Sequence, residues 1–196
     1  MLATWPTTTA TKAGDMGSFS DEQRISTYWW NKSEDLRNAA ALIWSAIDSP
    51  KPNAVGETTI RTPSRSIYFM LCGMSLEAIL KAILIEKNQM PPKTHDLKRL
   101  ADLAGVSYDS HEKDLLEILS AAVIWDGRYP VPLAQDAWDR LMNLHNEKLC
   151  DRKKLSEKSK FAVLSRNREL NWDRFADLLS RATSDLFSIA SWVTRE

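Results

Sequence analysis

The sequence predicts an all-α protein, an antiparallel bundle of four to five helices. Three stretches repeat apolar side chains at intervals of three and four residues, the spacing that places them on one face of a helix. Glycine is scarce, at 6 of 196 residues, and the closely spaced turn signals of an all-β protein are missing. With 43% apolar residues, a chain of this length forms one principal domain with a substantial core.

The first half of the chain contains the two longest predicted helices. Residues 1–19 have no apolar periodicity, so we expect a disordered N-terminal arm before a bundle that spans 20–196. A helix over about 21–48 has one apolar stripe, and a proline-containing loop at 49–63 follows it. The next helix, about 64–88, is apolar nearly all round, which predicts the central helix of the bundle. The stripe of the first helix consists of Trp29, Leu36, Ala40, Ile43 and Ile47.

Three shorter helices and one long helix are predicted in the second half. Thr94 can cap a helix that runs to about Ala104, with Gly105 suited to its end. Ser110 can cap another helix, whose inward stripe includes Ile124. A further helix is expected over about 133–149. The spacing in the last helix fits packing within a left-handed bundle. Its stripe consists of Trp172, Phe175, Leu179, Ala182, Leu186, Ile189 and Val193.

Charge is balanced over the whole chain but concentrated in one segment. Lysine plus arginine and aspartate plus glutamate each total 26, so bulk charge does not indicate a polyanion binder. Residues 148–168 nevertheless contain eight basic and two acidic residues, a net charge of +6. This segment is either a solvated linker before the last helix or a contact to an RNA backbone. Its candidate RNA-binding residues are Arg152, Lys153, Lys154, Lys158 and Lys160.

Several classes of site and location are disfavoured by the sequence. Cys72 and Cys150 lack metal or redox spacing, and no zinc-type cluster or phosphate-binding glycine loop is present, so we expect no metal and no cofactor. The apolar stretch 67–85 contains Glu77 and Lys81 near its middle, where charge would be costly in a bilayer. We therefore expect a core helix, no membrane association, reduced thiols and a cytoplasmic location.

Three motifs occur in a fixed order along the chain. The first is a helix with Glu77 and Lys81 four residues apart, and the second is the stretch Pro91–Leu97, which contains Thr-His-Asp-Leu. The third is the turn Trp125–Pro130, which contains Arg-Tyr-Pro. Together they resemble the HEPN domain, named for higher eukaryotes and prokaryotes nucleotide-binding. The resemblance covers about residues 24–150.

The resemblance implies a four- or five-helix bundle that usually forms a homodimer. It also implies an RNA- or nucleotide-associated setting, such as toxin–antitoxin systems, phage defence or RNA processing, in which a nucleotidyltransferase-type protein can be the partner. Family members divide into non-catalytic modules and metal-independent ribonucleases. The ribonucleases have an arginine followed four to six residues later by a histidine.

Arg140 and His145 match that ribonuclease spacing. Cleavage of RNA by its own 2′-hydroxyl needs a group that titrates near neutral pH and a permanent cation at the phosphorane, which histidine and arginine supply. The resembling nucleases usually have a polar residue after the arginine, whereas this chain has Leu141. Residues five apart on a helix point about 140° apart, so the pair converges only across a groove or a dimer interface.

The other candidate residues are assigned structural or phosphate-binding roles. Glu77 and Lys81 are interpreted as a structural ion pair, and His95 and Asp96 as residues that support the start of a helix. Arg128 either binds phosphate or braces a helix C-terminus. Three readings of function follow: a dimeric module that assists an RNA- or nucleotide-handling partner, a metal-independent endoribonuclease, or a purely structural interaction bundle.

Overall fold

The computed structural model describes four stretches of the chain, residues 22–48, 64–154, 162–167 and 169–190. The predicted N-terminal arm at 1–19 and the loop at 49–63 lie outside these stretches. Of the candidate RNA-binding residues, Lys158 and Lys160 also lie outside them.

The described residues form six α-helices, one π-helical turn and one β-hairpin, which confirms the predicted all-α class. The helices begin and end within a few residues of the predicted bounds. In chain order, the elements are α1 (Ser26–Asp48), α2 (Ser64–Glu86), α3 (Leu97–Ala104), α4 (Ser110–Ala121), the π-turn (Ala122–Asp126), α5 (Gln135–Lys148), β1 (Cys150–Lys154), β2 (Ala162–Arg166) and α6 (Trp172–Ile189).

Helix α2 is the centre of the fold. It contacts α1, α3, α4, the π-turn and α6, and its apolar side chains are buried on almost every side. It is also long and apolar enough to span a membrane, but most of it is buried against the other helices, as in an ordinary core helix. The sequence predicted this central position from the nearly continuous apolar run.

Small and polar residues allow α1 and α2 to approach closely. Ser33 Oγ donates to the Ser75 carbonyl oxygen at 2.9 Å, and Ser75 Oγ donates to the Ser33 carbonyl oxygen at 3.0 Å. Both serines are buried, and these reciprocal bonds satisfy hydroxyl groups that would otherwise lose water without compensation. The pair therefore fixes the register of α1 on α2.

The caps of α3 and α4 correct two predictions. Asp96, rather than Thr94, is the N-cap of α3, and its carboxylate accepts from the Arg99 backbone N–H at 3.0 Å. Asp109, rather than Ser110, caps α4 and forms a reciprocal capping box with Glu112. In both cases the capping aspartate lies one or two positions from the residue that the sequence predicted. Its carboxylate accepts from the backbone N–H of the third helical residue (N3), and its charge also complements the helix dipole.

The π-turn corrects the inward stripe predicted for α4. Ile124 is 50% exposed, and Trp125 is buried instead. After Ala121 the chain makes one π-helical turn, which has more residues per turn than an α-helix. The side chains after it therefore point in directions that α-helical spacing does not predict. A stripe extrapolated with α-helical periodicity therefore fails at this point.

The basic segment 148–168, interpreted as either a linker or an RNA contact, contains a hairpin. Strand β1 pairs antiparallel with β2, with Cys150 opposite Arg166 and Lys154 opposite Ala162. The run Ala162–Arg166 has an apolar composition suited to pairing, and the charge of the segment concealed this signal. Basic residues of the segment are thereby held on a paired strand.

Helix α6 is joined to the start of α4 by one arginine. Arg181 makes a forked pair with Glu112, with Nη1–Oε2 and Nη2–Oε1 distances of 2.6 and 2.9 Å, and its guanidinium lies over the Tyr108 ring. Burial alone would raise the pKa of Glu112, but hydrogen bonds from Arg181 and the Asp109 backbone outweigh it, so this pKa lies below its ordinary value. The pair therefore stabilises the fold only while Glu112 is ionised.

Candidate functional site

A three-residue cluster joins α2 to the turn before α3. Glu77 Oε1 pairs with Lys81 Nζ at 2.6 Å, and Glu77 Oε2 lies 2.8 Å from His95 Nδ1. Glu77 and Lys81 are largely buried, whereas the His95 ring is 49% exposed. Because both carboxylate oxygens have partners, Glu77 is poorly placed to act as a free general base. Its geometry suits a structural link that orients His95.

Several of the functional candidates line one small pocket. The pocket has a volume of about 140 Å³ and lies beside the Glu77 cluster. Trp29 and Lys32 of α1 line it together with Glu77, His95 and Arg128. The sequence motifs named His95 and Arg128 separately, and the fold brings them to the same pocket.

Arg140 and His145 line different pockets. Arg140 is exposed in a groove of about 360 Å³ between α5 and the α4–π-turn segment, beside Ile124, Trp125 and Leu144. His145 lies in a pocket of about 290 Å³ and meets the Phe69 ring edge-on, with 6.4 Å between ring centroids. Within one chain, the fold does not bring the two candidate catalytic side chains to the same pocket.

Arg65, Asp126 and Asn146 are further polar residues of the His145 pocket. Arg65 comes from the first turn of α2 and Asp126 from the end of the π-turn. The sequence gave no signal that Arg65 and Asp126 would line a pocket with His145, because this depends on where α2 and the π-turn lie relative to α5.

Two basic residues in and near the hairpin have different environments. The Lys148 amine is 2.9 Å from an Asp114 carboxylate oxygen, so its charge is offset. Lys153, on β1, is exposed. Arg152 and Lys154 belong to the same strand, and their backbone positions are described.

The cysteines are not arranged for metal or redox chemistry in the described part of the chain. Burial raises the pKa of the Cys72 thiol, which keeps it protonated and unreactive. No group of three or more His, Cys, Asp or Glu side chains that could hold a metal ion occurs within residues 22–48, 64–154, 162–167 and 169–190.

Comparison with protein families finds a match over the central part of this bundle. Residues 66–147 match the model of the HEPN domain. These residues are similar to a HEPN domain. The match begins in the first turn of α2 and ends in the last turn of α5, a narrower span than the 24–150 suggested by the motifs. No curated protein and no solved structure matches the chain.

The HEPN match includes all three sequence motifs and both Arg140 and His145. Helix α1, the hairpin and α6 lie outside it, so the pocket beside Glu77 combines HEPN residues with Trp29 and Lys32 from a helix beyond the match. Lys32 was missed by sequence reasoning. A lysine three positions after a half-buried tryptophan is a weak signal, because most such lysines only border a core.

Proposed function

We propose that this HEPN protein is a dimeric helical module that binds RNA or nucleotide phosphates and assists a partner protein without cutting RNA itself. The non-catalytic part of the proposal is carried by the separation of Arg140 and His145 into different pockets, which leaves no catalytic pair within one protomer. General acid–base catalysis requires the proton-transfer group and the charge-stabilising group to converge on one phosphate. One protomer offers no such convergence at this pair.

The module would work in an RNA- or nucleotide-handling system, such as a toxin–antitoxin pair, phage defence or RNA processing, in the cytoplasm. A nucleotidyltransferase-type partner would supply the chemistry that a non-catalytic module lacks. We propose a homodimer on the basis of the HEPN match. Light scattering on the protein used for binding measurements should give the mass of two chains.

A metal-independent endoribonuclease is the second candidate. It is favoured by the position of His145 in a cleft with Arg65 and Asn146, polar groups that can contact a nucleotide. A second copy would have to supply the missing arginine. In that case His145→Ala would lower the cleavage rate by about 10²- to 10⁴-fold, and Arg140→Ala by about 10²- to 10³-fold.

Strand β1 is expected to contribute to RNA affinity. Replacing Arg152, Lys153 and Lys154 together with glutamate should weaken binding of a single-stranded RNA. It should also reduce the slope of log affinity against log salt by about 2, because each phosphate contact adds about 0.7. The measurement is a fluorescence-anisotropy titration between 50 and about 200 mM salt, a range over which such contacts change affinity strongly.

The control for this titration carries the same change in charge outside the hairpin. Arg24, Arg99 and Lys113 are replaced together with glutamate, since the first two are exposed and the third makes only an exposed ion pair. Equal losses in both triple variants would show that binding follows net charge rather than β1. If neither the wild type nor the control binds RNA or nucleotide, the structural-bundle reading is favoured.

A further inference from the structure

We propose that the pocket between Lys32, His95 and Arg128 binds the terminal phosphate of a nucleotide or of a 5′-phosphorylated RNA. The inference rests on the proposed function and specifies where that function would recognise its ligand. The pocket volume of about 140 Å³ suits a phosphate group and does not enclose a whole nucleotide, so the rest of the ligand would lie outside.

The charged residues of the pocket favour an anion. Its other lining residues, besides Trp29, are apolar: Leu36, Met74, Ala78 and Val123. Glu77 is the carboxylate among its lining residues, and Lys81 and His95 occupy both of its oxygens. Within the described part of the chain, neither Lys32 nor Arg128 forms an ion pair. Among the described residues, these two exposed cations therefore have no acidic partner, and the nearby carboxylate is already neutralised by Lys81.

The donor groups suit a phosphate in particular. The Arg128 guanidinium offers a planar fork that matches two phosphate oxygens, and the Lys32 ammonium is a compact charge that approaches from another segment. An ionised Glu77 can only accept hydrogen bonds, so His95 must carry a proton on Nδ1, the nitrogen that faces it. Nε2 of the neutral His95 ring can then accept a hydrogen bond from a phosphate hydroxyl, and only the doubly protonated ring can donate one to a phosphate oxygen.

The walls of the pocket are held in place before any ligand arrives. The Trp29 indole donates to the Gln23 carbonyl oxygen at 3.1 Å, and the Lys81 amine lies 5.6 Å from the centre of its ring. At the other side, the backbone N–H of Arg128 donates to the Trp125 carbonyl oxygen at 2.8 Å, which fixes the end of the π-turn. Such preorganisation lowers the entropic cost of binding.

The test compares ligands that differ in a terminal phosphate. Isothermal titration of the full chain uses inorganic phosphate, AMP, adenosine, and one RNA oligonucleotide with either a 5′-phosphate or a 5′-hydroxyl. AMP should bind detectably better than adenosine, or the 5′-phosphate RNA about tenfold better than its 5′-hydroxyl form, because charge-assisted hydrogen bonds are added. The first result would identify the ligand as a mononucleotide, and the second would identify it as the 5′-phosphorylated end of an RNA.

Variants locate the binding site. Lys32→Ala with Arg128→Ala should abolish the preference for the phosphorylated ligand, whereas Arg99→Ala, at an exposed position on α3, should preserve it. Circular dichroism should show that all the variants stay folded. If the preference is missing in the wild type, or persists in the double variant, the pocket is not a phosphate site. RNA binding that persists with no 5′-phosphate preference would overturn this inference alone, while loss of all RNA and nucleotide binding would overturn the proposed function as well.

Discussion

Replacing Gly73 with valine is expected to lower the free energy of unfolding by about 3 kcal/mol. A Cβ atom at this position would lie 2.6 Å from Val123 Cγ2 and 2.8 Å from the Leu119 carbonyl oxygen. The second contact is with backbone, so α2 and α4 would have to move apart. Alanine at this position should cost about 1–2 kcal/mol, because its better helix propensity recovers only part of the strain.

Urea denaturation of the Gly73→Ala and Gly73→Val variants measures both expected losses of stability. Asn38→Ala is the control, because Asn38 is exposed on α1 and reports helix propensity without a packing change. This control should be slightly stabilising, by about 0.5 kcal/mol. Equal stability of wild type and Gly73→Val would contradict the close approach of α2 to α4.

Replacing Arg181 with methionine is expected to lower the free energy of unfolding by about 2–3 kcal/mol at pH 7, since it leaves the Glu112 carboxylate buried without its main partner. Glu112 is only 6% exposed, whereas Arg181 is 42% exposed. We therefore expect a smaller loss of stability than for a fully buried ion pair. The change also removes the arginine from the Tyr108 ring and its hydrogen bond to the Ser107 carbonyl oxygen.

The effect of Arg181→Met should depend on pH in one direction. The pKa of Glu112 is lowered in the fold, so the stability it contributes is complete above its ordinary value of 4.5 and is lost as pH falls through the folded pKa. Wild type and variant should therefore differ most at neutral pH and converge in acid. Lys113→Met removes an exposed pair with Asp102 and serves as the control, with an expected change within about 1 kcal/mol. A wild-type advantage that grows in acid would contradict the assignment.

Most of the fold was predictable from the sequence because apolar periodicity reports which face of a helix is buried. Phe175, Leu179, Ala182 and Leu186 of α6 are buried as their spacing predicted. Ile189 of the same predicted stripe is 39% exposed at the end of the helix, and Val193 lies outside the described residues. The failure at Ile124 has a local cause, since a π-turn has no apolar signature of its own and rotates the residues that follow it. The hairpin was missed because strong charge concealed two short strands.

The candidate site was less accessible to sequence reasoning. His95 and Arg128 were named because each belongs to a motif, but their shared pocket depends on how α3 and the π-turn pack against α2. Lys32 belongs to no motif and is brought to the pocket by α1, which lies outside the HEPN match. Arg140 and His145 had the spacing of a catalytic pair, and helix geometry explains why they line separate pockets.

The most direct test of the proposed function is incubation of the full chain with end-labelled RNA in EDTA, analysed in parallel on native and denaturing gels. The proposed function predicts a retarded complex on the native gel, sensitive to salt, and intact RNA on the denaturing gel. Fragments that end in a 2′,3′-cyclic phosphate, and that disappear with His145→Ala, would contradict it and establish the ribonuclease reading instead.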